Sequence, residues 1–124
     1  MDRSSKSFFE LDVWKKSHQL VLDLYSVTSN FPDSEIFSLT SQIRRAVISI
    51  PANIAEGYKR FGKADKIRFY NIAQSSLEEV RYYIFLSGDL GYIENKIELD
   101  RLVTEISKML EKYIKQIELS KKAG

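Results

Sequence analysis

The sequence predicts an all-α protein, an antiparallel up-down-up-down four-helix bundle. Three observations carry that reading. Apolar residues recur at spacings of three and four through four long segments, and no segment alternates apolar and polar like a half-buried strand. Only two prolines and five glycines punctuate 124 residues, so the segments are long and their connections short. One run, residues 42–58, is apolar on nearly every side of a helix, which requires neighbours in several directions. Four stripes joined by short loops are buried most simply by antiparallel neighbours. The length suits one domain with a modest core, so residues 1–124 are read as a single domain.

The first helix is expected at about residues 13–29. Trp14, His18, Val21, Tyr25 and Thr28 form one face, and Val13, Leu20, Leu24, Val27 and Phe31 widen it. Asp12 is the candidate N-cap, and Phe31-Pro32 ends the segment because a residue before proline avoids the helical region. The second covers about residues 34–60, with Ile36, Leu39, Ile43, Val47, Ile50 and Ile54 inward. Asp33, Ser34 and Thr40 all suit its cap, which leaves room for a short first turn set off from the main helix. Pro51 lacks the N–H owed to the Val47 carbonyl and crowds it, so a kink or local opening is expected there. That feature reads either as a bend around neighbours or as a carbonyl left free for a partner.

Gly57 and Gly62 bracket a break. The third helix follows at about residues 63–90, with Phe69, Ala73, Leu77, Val80 and Ile84 inward and Gly88 and Gly91 at its end. The fourth is expected at about residues 94–119. Leu99, Leu102, Ile106, Met109, Tyr113 and Ile117 make a near-heptad seam. Glu111 with Lys115 and Glu118 with Lys122 support its outer face, and residues 120–124 are expected to fray.

Composition narrows the chemistry. Hydrophobic residues at 44% and charged residues at 29% describe a folding chain rather than a disordered one. Without cysteine there is no disulfide, thiolate metal site or cysteine nucleophile. No run of about 18 apolar residues spans a membrane, and the opening residues lack a leader's apolar core, so a cytoplasmic protein is expected. The single histidine, His18, has no glutamate three residues before it, so the Glu-x-x-His pattern of di-iron bundles is missing. His18 therefore reads as a packed or hydrogen-bonded side chain. No nucleophile elbow, phosphate-binding glycine loop or dinucleotide fingerprint occurs. Glu56 with Glu79 could in principle do acid–base work, but the favoured reading is that each carboxylate is held by arginine or by helix-end amides. The expectation is no enzyme, no cofactor and no metal.

Two features remain. Arg45, Ser49, Asn53, Glu56 and Arg60 fall along one side of the second helix, and Ser76, Glu79 and Tyr83 make a shorter line on the third. This stripe is either a polar network within or between subunits or a solvated face; the adjacent Ile48, Ala52 and Ala55 argue for self-association. The net charge of +2 predicts no polyanion partner by itself. Yet residues 37–68 hold seven Lys/Arg against two Asp/Glu, whereas the segments on either side are slightly acidic. Arg44, Lys59, Arg60, Lys63, Lys66 and Arg68, with Tyr58 and Tyr70 nearby, suit phosphate contact plus base stacking, or simply solubility at a helix junction.

The strings Leu11-x-Val13-Trp14, Phe31-Pro32 followed by Glu35, residues 39–46 (LTSQIRRA), residues 49–57 (SIPANIAEG) and Ser75-Ser76-x-x-Glu79 resemble the bacterial 23S rRNA-intervening-sequence protein family over about residues 8–119. Where that family often has Gly-Arg after the Glu-Gly-aromatic string, Lys59-Arg60 stands here and keeps the positive charge. The resemblance implies a four-helix bundle assembled as a homopentamer, similar in fold to the accessory protein of diversity-generating retroelements. It implies Arg45, Asn53, Glu56 and Glu79 as a structural signature and Arg44, Lys59, Arg60 and Lys63 as RNA or DNA contacts. The functional expectation is an oligomeric, non-enzymatic protein that binds nucleic acid or assists a nucleic-acid enzyme. The alternative is a protein-interaction module with no nucleic-acid role.

Overall fold

The computed structural model describes residues 7–120. The opening residues 1–6, the expected fraying of residues 121–124 and the partner Lys122 lie outside the described residues. A 3₁₀ turn at Phe8–Glu10 leads into α1 (Asp12–Thr28), and a second at Asp33–Glu35 leads into α2 (Leu39–Lys59). α3 (Lys63–Asp89) and α4 (Ile97–Leu119) complete the bundle. α1 packs on α2 and α4, and α3 packs on the same two, so α1 and α3 face each other across the core. Bonds between helices show neighbours running antiparallel. Arg44 near the start of α2 reaches Tyr25 and Thr28 at the end of α1. Lys66 at the start of α3 reaches Gly57 and Tyr58 at the end of α2, and Lys63 reaches the end of α4.

Several boundaries differ from the sequence reading. Leu11, extended, is the residue before α1, and Asp12 is its first helical residue rather than its cap. Its carboxylate still favours that end of the helix dipole. α2 begins at Leu39, not residue 34, because the chain after Pro32 makes only a single 3₁₀ turn. None of Asp33, Ser34 or Thr40 caps it. Glu35 does so instead, one Oε accepting the Ser38 hydroxyl at 2.6 Å and the Leu39 N–H at 3.3 Å. Its other oxygen accepts the Tyr92 hydroxyl at 2.7 Å, tying the turn to the α3–α4 connection. α4 begins at Ile97, not residue 94, because Asn95 Oδ1 accepts the Ile97 N–H at 3.0 Å and holds a turn there. Gly88 lies inside α3, and among the described residues only Gly91 takes a positive φ, +80°. α2 is unbroken through Pro51, itself buried, with the fully buried Ile50 and Ile54 anchoring the turns on either side.

Glu35 makes a pH-dependent contribution. Its hydrogen bonds from Ser38, Tyr92 and the Leu39 amide hold its carboxyl below the ordinary value of 4.5. A carboxyl lower in the folded state stabilises above its unfolded pKa and loses that contribution as pH falls through the folded one. We therefore expect stability to decline below about pH 4.5, and Glu35→Gln to flatten that decline in chemical denaturation series at pH 3–7. Equal slopes in the two proteins would remove Glu35 from the account.

The core takes the stripe Val13, Ser17, Leu20, Leu24 and Thr28 from α1. The face of Trp14, His18 and Tyr25 is displaced to a partly exposed flank, where His18, expected as a packed or hydrogen-bonded side chain, is exposed to solvent but packs its ring on Trp14 at 5.1 Å and 7°. One helix cannot turn two stripes inward; the aliphatic one, with hydroxyls that return to their own helix, is cheaper to bury. Ser17 and Thr28 each donate to the carbonyl four residues back at 2.7 Å. On α4 the core residues are Leu99, Val103, Ile106 and Leu110. Leu102, Met109, Tyr113 and Ile117 pack only partly buried against them, because a straight helix drifts off a heptad seam. Ile36 is 47% exposed, and Tyr70 rather than Phe69 enters the core of α3.

Candidate functional site

The polar stripe resolves into separate units. Ser49 and Ser76 share a hydroxyl–hydroxyl hydrogen bond of 2.9 Å across the α2–α3 contact. Asn53 donates to the Ser49 carbonyl at 2.8 Å and to its hydroxyl at 2.9 Å, so this half-buried trio satisfies itself. Arg60 pairs with Glu56 at 3.0 Å. Tyr83 donates to Glu79 at 2.8 Å, and holding that proton raises the tyrosine's pKa. Arg45 is exposed and makes no hydrogen bond or ion pair among the described residues.

The basic cluster is largely occupied within the protomer. Arg44 donates to the Thr28 hydroxyl at 2.9 Å and the Tyr25 carbonyl at 3.3 Å, its guanidinium 4.4 Å from the Tyr25 ring centroid. Lys66 donates to the Gly57 and Tyr58 carbonyls at 3.0 and 2.7 Å, and burial lowers its pKa. Lys63 donates to the Glu118 and Ser120 carbonyls at 3.0 and 2.7 Å. Three helices thus have C-terminal carbonyls met by a cation from a neighbouring helix, where the negative end of the dipole welcomes it. Arg68 pairs with Asp65 at 2.9 Å, and Arg60 lies 3.8 Å from the same residue. Both guanidiniums stack on Phe69, each 4.5 Å from the centroid. Lys59 is exposed, without an ion pair among the described residues, next to the loop residue Phe61, which is 94% exposed.

This capping role was missed in the sequence, although a signal existed. Lysines in the first turn of α3 oppose that helix's own dipole. Cations at the unfavourable end of one helix sit beside the favourable end of its antiparallel neighbour.

Apolar surface lies on two sides. Between the end of α1 and the start of α2 is a groove of about 540 Å³, lined by Tyr25, Ile36, Phe37, Ile48, Arg44 and Arg45 among others. Phe37 is 96% exposed. Thr40 also lines this groove, and its buried hydroxyl has no hydrogen-bond partner. On α3, Tyr82 and Phe85 are more than half exposed. At the opposite end of the bundle, burial beside Tyr113 raises the pKa of the Tyr70 hydroxyl. Among the described residues no group of three or more His, Asp or Glu is placed to hold a metal, and no helix is long and apolar enough to cross a membrane.

The profile of the 23S rRNA-intervening sequence protein family matches residues 9–112. A comparison with curated proteins finds no match. Among solved structures, a protein of unknown function of the S23 ribosomal protein family from Bacteroides thetaiotaomicron VPI-5482 is 32% identical, with a TM-score of 0.73. The similarity covers 83% of this chain and 98% of that one. The profile, spanning all four helices, shows that the chain belongs to the 23S rRNA-intervening sequence protein family.

Proposed function

We propose that this is a non-catalytic bundle that works by assembling with copies of itself, five by the family resemblance, and that it acts in the cytoplasm. The supporting observation is apolar surface that the folded protomer leaves on two sides, around Phe37 and Ile48 on one and around Tyr82 and Phe85 on the other. Single exposed apolar residues are ordinary, but clusters rimmed by charge mark association sites. Native mass spectrometry and sedimentation at micromolar concentration are expected to show a homo-oligomer. A 14.4 kDa monomer alone would overturn the proposal.

A second reading, contact with RNA, DNA or a nucleic-acid enzyme, is favoured by one observation. At the junction of α2 and α3, Lys59, unpaired among the described residues, lies beside the exposed Phe61, a cation and an aromatic ring directed to solvent together. With most other cations occupied, each protomer offers few phosphate contacts, and an assembly multiplies them. Titration of labelled structured RNA is expected to show binding that weakens with salt and that Lys59→Ala/Phe61→Ala abolishes. Negligible binding by both proteins would leave the protein-interaction module as the reading.

A further inference from the structure

We infer that the subunits join head to tail, the groove at the end of α1 and start of α2 in one copy receiving the outer face of α3 around Tyr82 and Phe85 from the next. This rests on the self-assembly proposed above. A closed ring of more than two identical subunits needs two different, complementary surfaces on each one. The protomer has two, on opposite sides. The groove lies on the α1–α2 side. Phe85 lies one turn beyond Arg81, which bonds Thr104 of α4, so it belongs to the α3–α4 side.

The two surfaces also lie at one height along the bundle. The Ser49 to Ser76 bond sets the antiparallel register of α2 and α3, which brings Thr40 level with Phe85 and puts Arg45 within one turn of Tyr82 in height along the bundle. Surfaces at equal height let successive copies return to the start, whereas an axial offset would build an open helix. Their chemistry is complementary. The groove holds Arg45, without an ion pair, and the α3 face holds Asp89, likewise without one among the described residues. Glu78 adds negative charge there, tempered by its pairing with Arg81 at 3.4 Å and by Lys96, 5.5 Å from the Phe85 ring centroid. Phe37, 96% exposed, and Tyr82, 57% exposed, supply the apolar contact on the two sides.

Two variants test the pairing. Phe37→Ser/Arg45→Glu disables the groove, and Tyr82→Ser/Asp89→Asn disables the α3 face, a choice that leaves no opposite charges between the two altered surfaces. All four positions are exposed, and unchanged circular dichroism spectra check that both proteins fold. Each variant alone is expected to be monomeric in native mass spectrometry. Their equimolar mixture is expected to form a 1:1 heterodimer and nothing larger, because one intact groove and one intact face remain between them. Wild-type-sized assemblies from both variants would overturn the inference while leaving self-assembly standing. Monomeric variants that form no heterodimer would overturn the head-to-tail pairing. A monomeric wild type would remove the self-assembly proposal itself.

Discussion

Replacing Gly57 by alanine is expected to destabilise the bundle by about 2 kcal/mol and lower its melting temperature by roughly 6–10 °C. Propensity alone points the other way, since alanine in a helix gains about 1 kcal/mol over glycine. Packing decides the sign. Gly57 is buried in the last turn of α2, and an added Cβ would lie 2.8 Å from Tyr70 Cε1, 3.0 Å from its Cζ and 3.2 Å from Phe69 Cβ. The Tyr70 ring cannot retreat easily, because it is fully buried with the Tyr113 ring 5.1 Å away. The same close approach lets Lys66 reach the Gly57 carbonyl, so widening the contact also loosens a helix cap. Thermal melts of Gly57→Ala, Tyr70→Leu and the double variant test the mechanism. Trimming Tyr70 should recover part of the loss, visible as a coupling between the two sites. A Gly57→Ala protein as stable as wild type would show that the glycine serves something other than this contact.

Two isoleucines on α2 are expected to respond in opposite ways. Ile50 is fully buried, so Ile50→Ala leaves a cavity and lowers stability by about 3 kcal/mol in chemical denaturation. Ile48 is 43% exposed at the groove between α1 and α2. Ile48→Ala should leave the dissociated protomer within about 0.5 kcal/mol of wild type. On the self-assembly reading it should still weaken the oligomer, seen as dissociation at higher concentration in sedimentation experiments. Because assembly itself stabilises the folded chain, both variants need comparison at matched concentration. An Ile48→Ala protein that unfolds like Ile50→Ala would place Ile48 in the protomer core; one that assembles like wild type would remove it from the interface.

The four helices were legible because long segments with a 3.6-residue period need little tertiary information to be recognised. Inward residues on α2 were legible for the same reason: Leu39, Ile43, Val47, Ile50 and Ile54 are all buried. On α1 two stripes compete, and nothing local says that Val13, Leu20 and Leu24 go inward while Trp14 and His18 stay at the flank. The start of α2 was legible only in part. Glu35 caps it through a turn that brings Ser38, Leu39 and the distant Tyr92 together, a constellation that spacing does not encode.

The candidate site shows the same division. The sequence identified the concentration of cations in residues 37–68, but charge counting cannot distinguish a cation directed to solvent from one bonded to a carbonyl. Arg44, Lys63 and Lys66 spend their donors on helix ends that become neighbours only when the bundle folds. Lys59 and Phe61 remain outward at the junction.

By itself the sequence determined the fold class, the four helical segments and the family signature, because each is written in local periodicity and contiguous motif. Tertiary structure alone decided which stripe of α1 is core, why residue 57 is glycine, and which charges are free. Those properties depend on distances between side chains far apart in the chain, set only when four helices pack in one register.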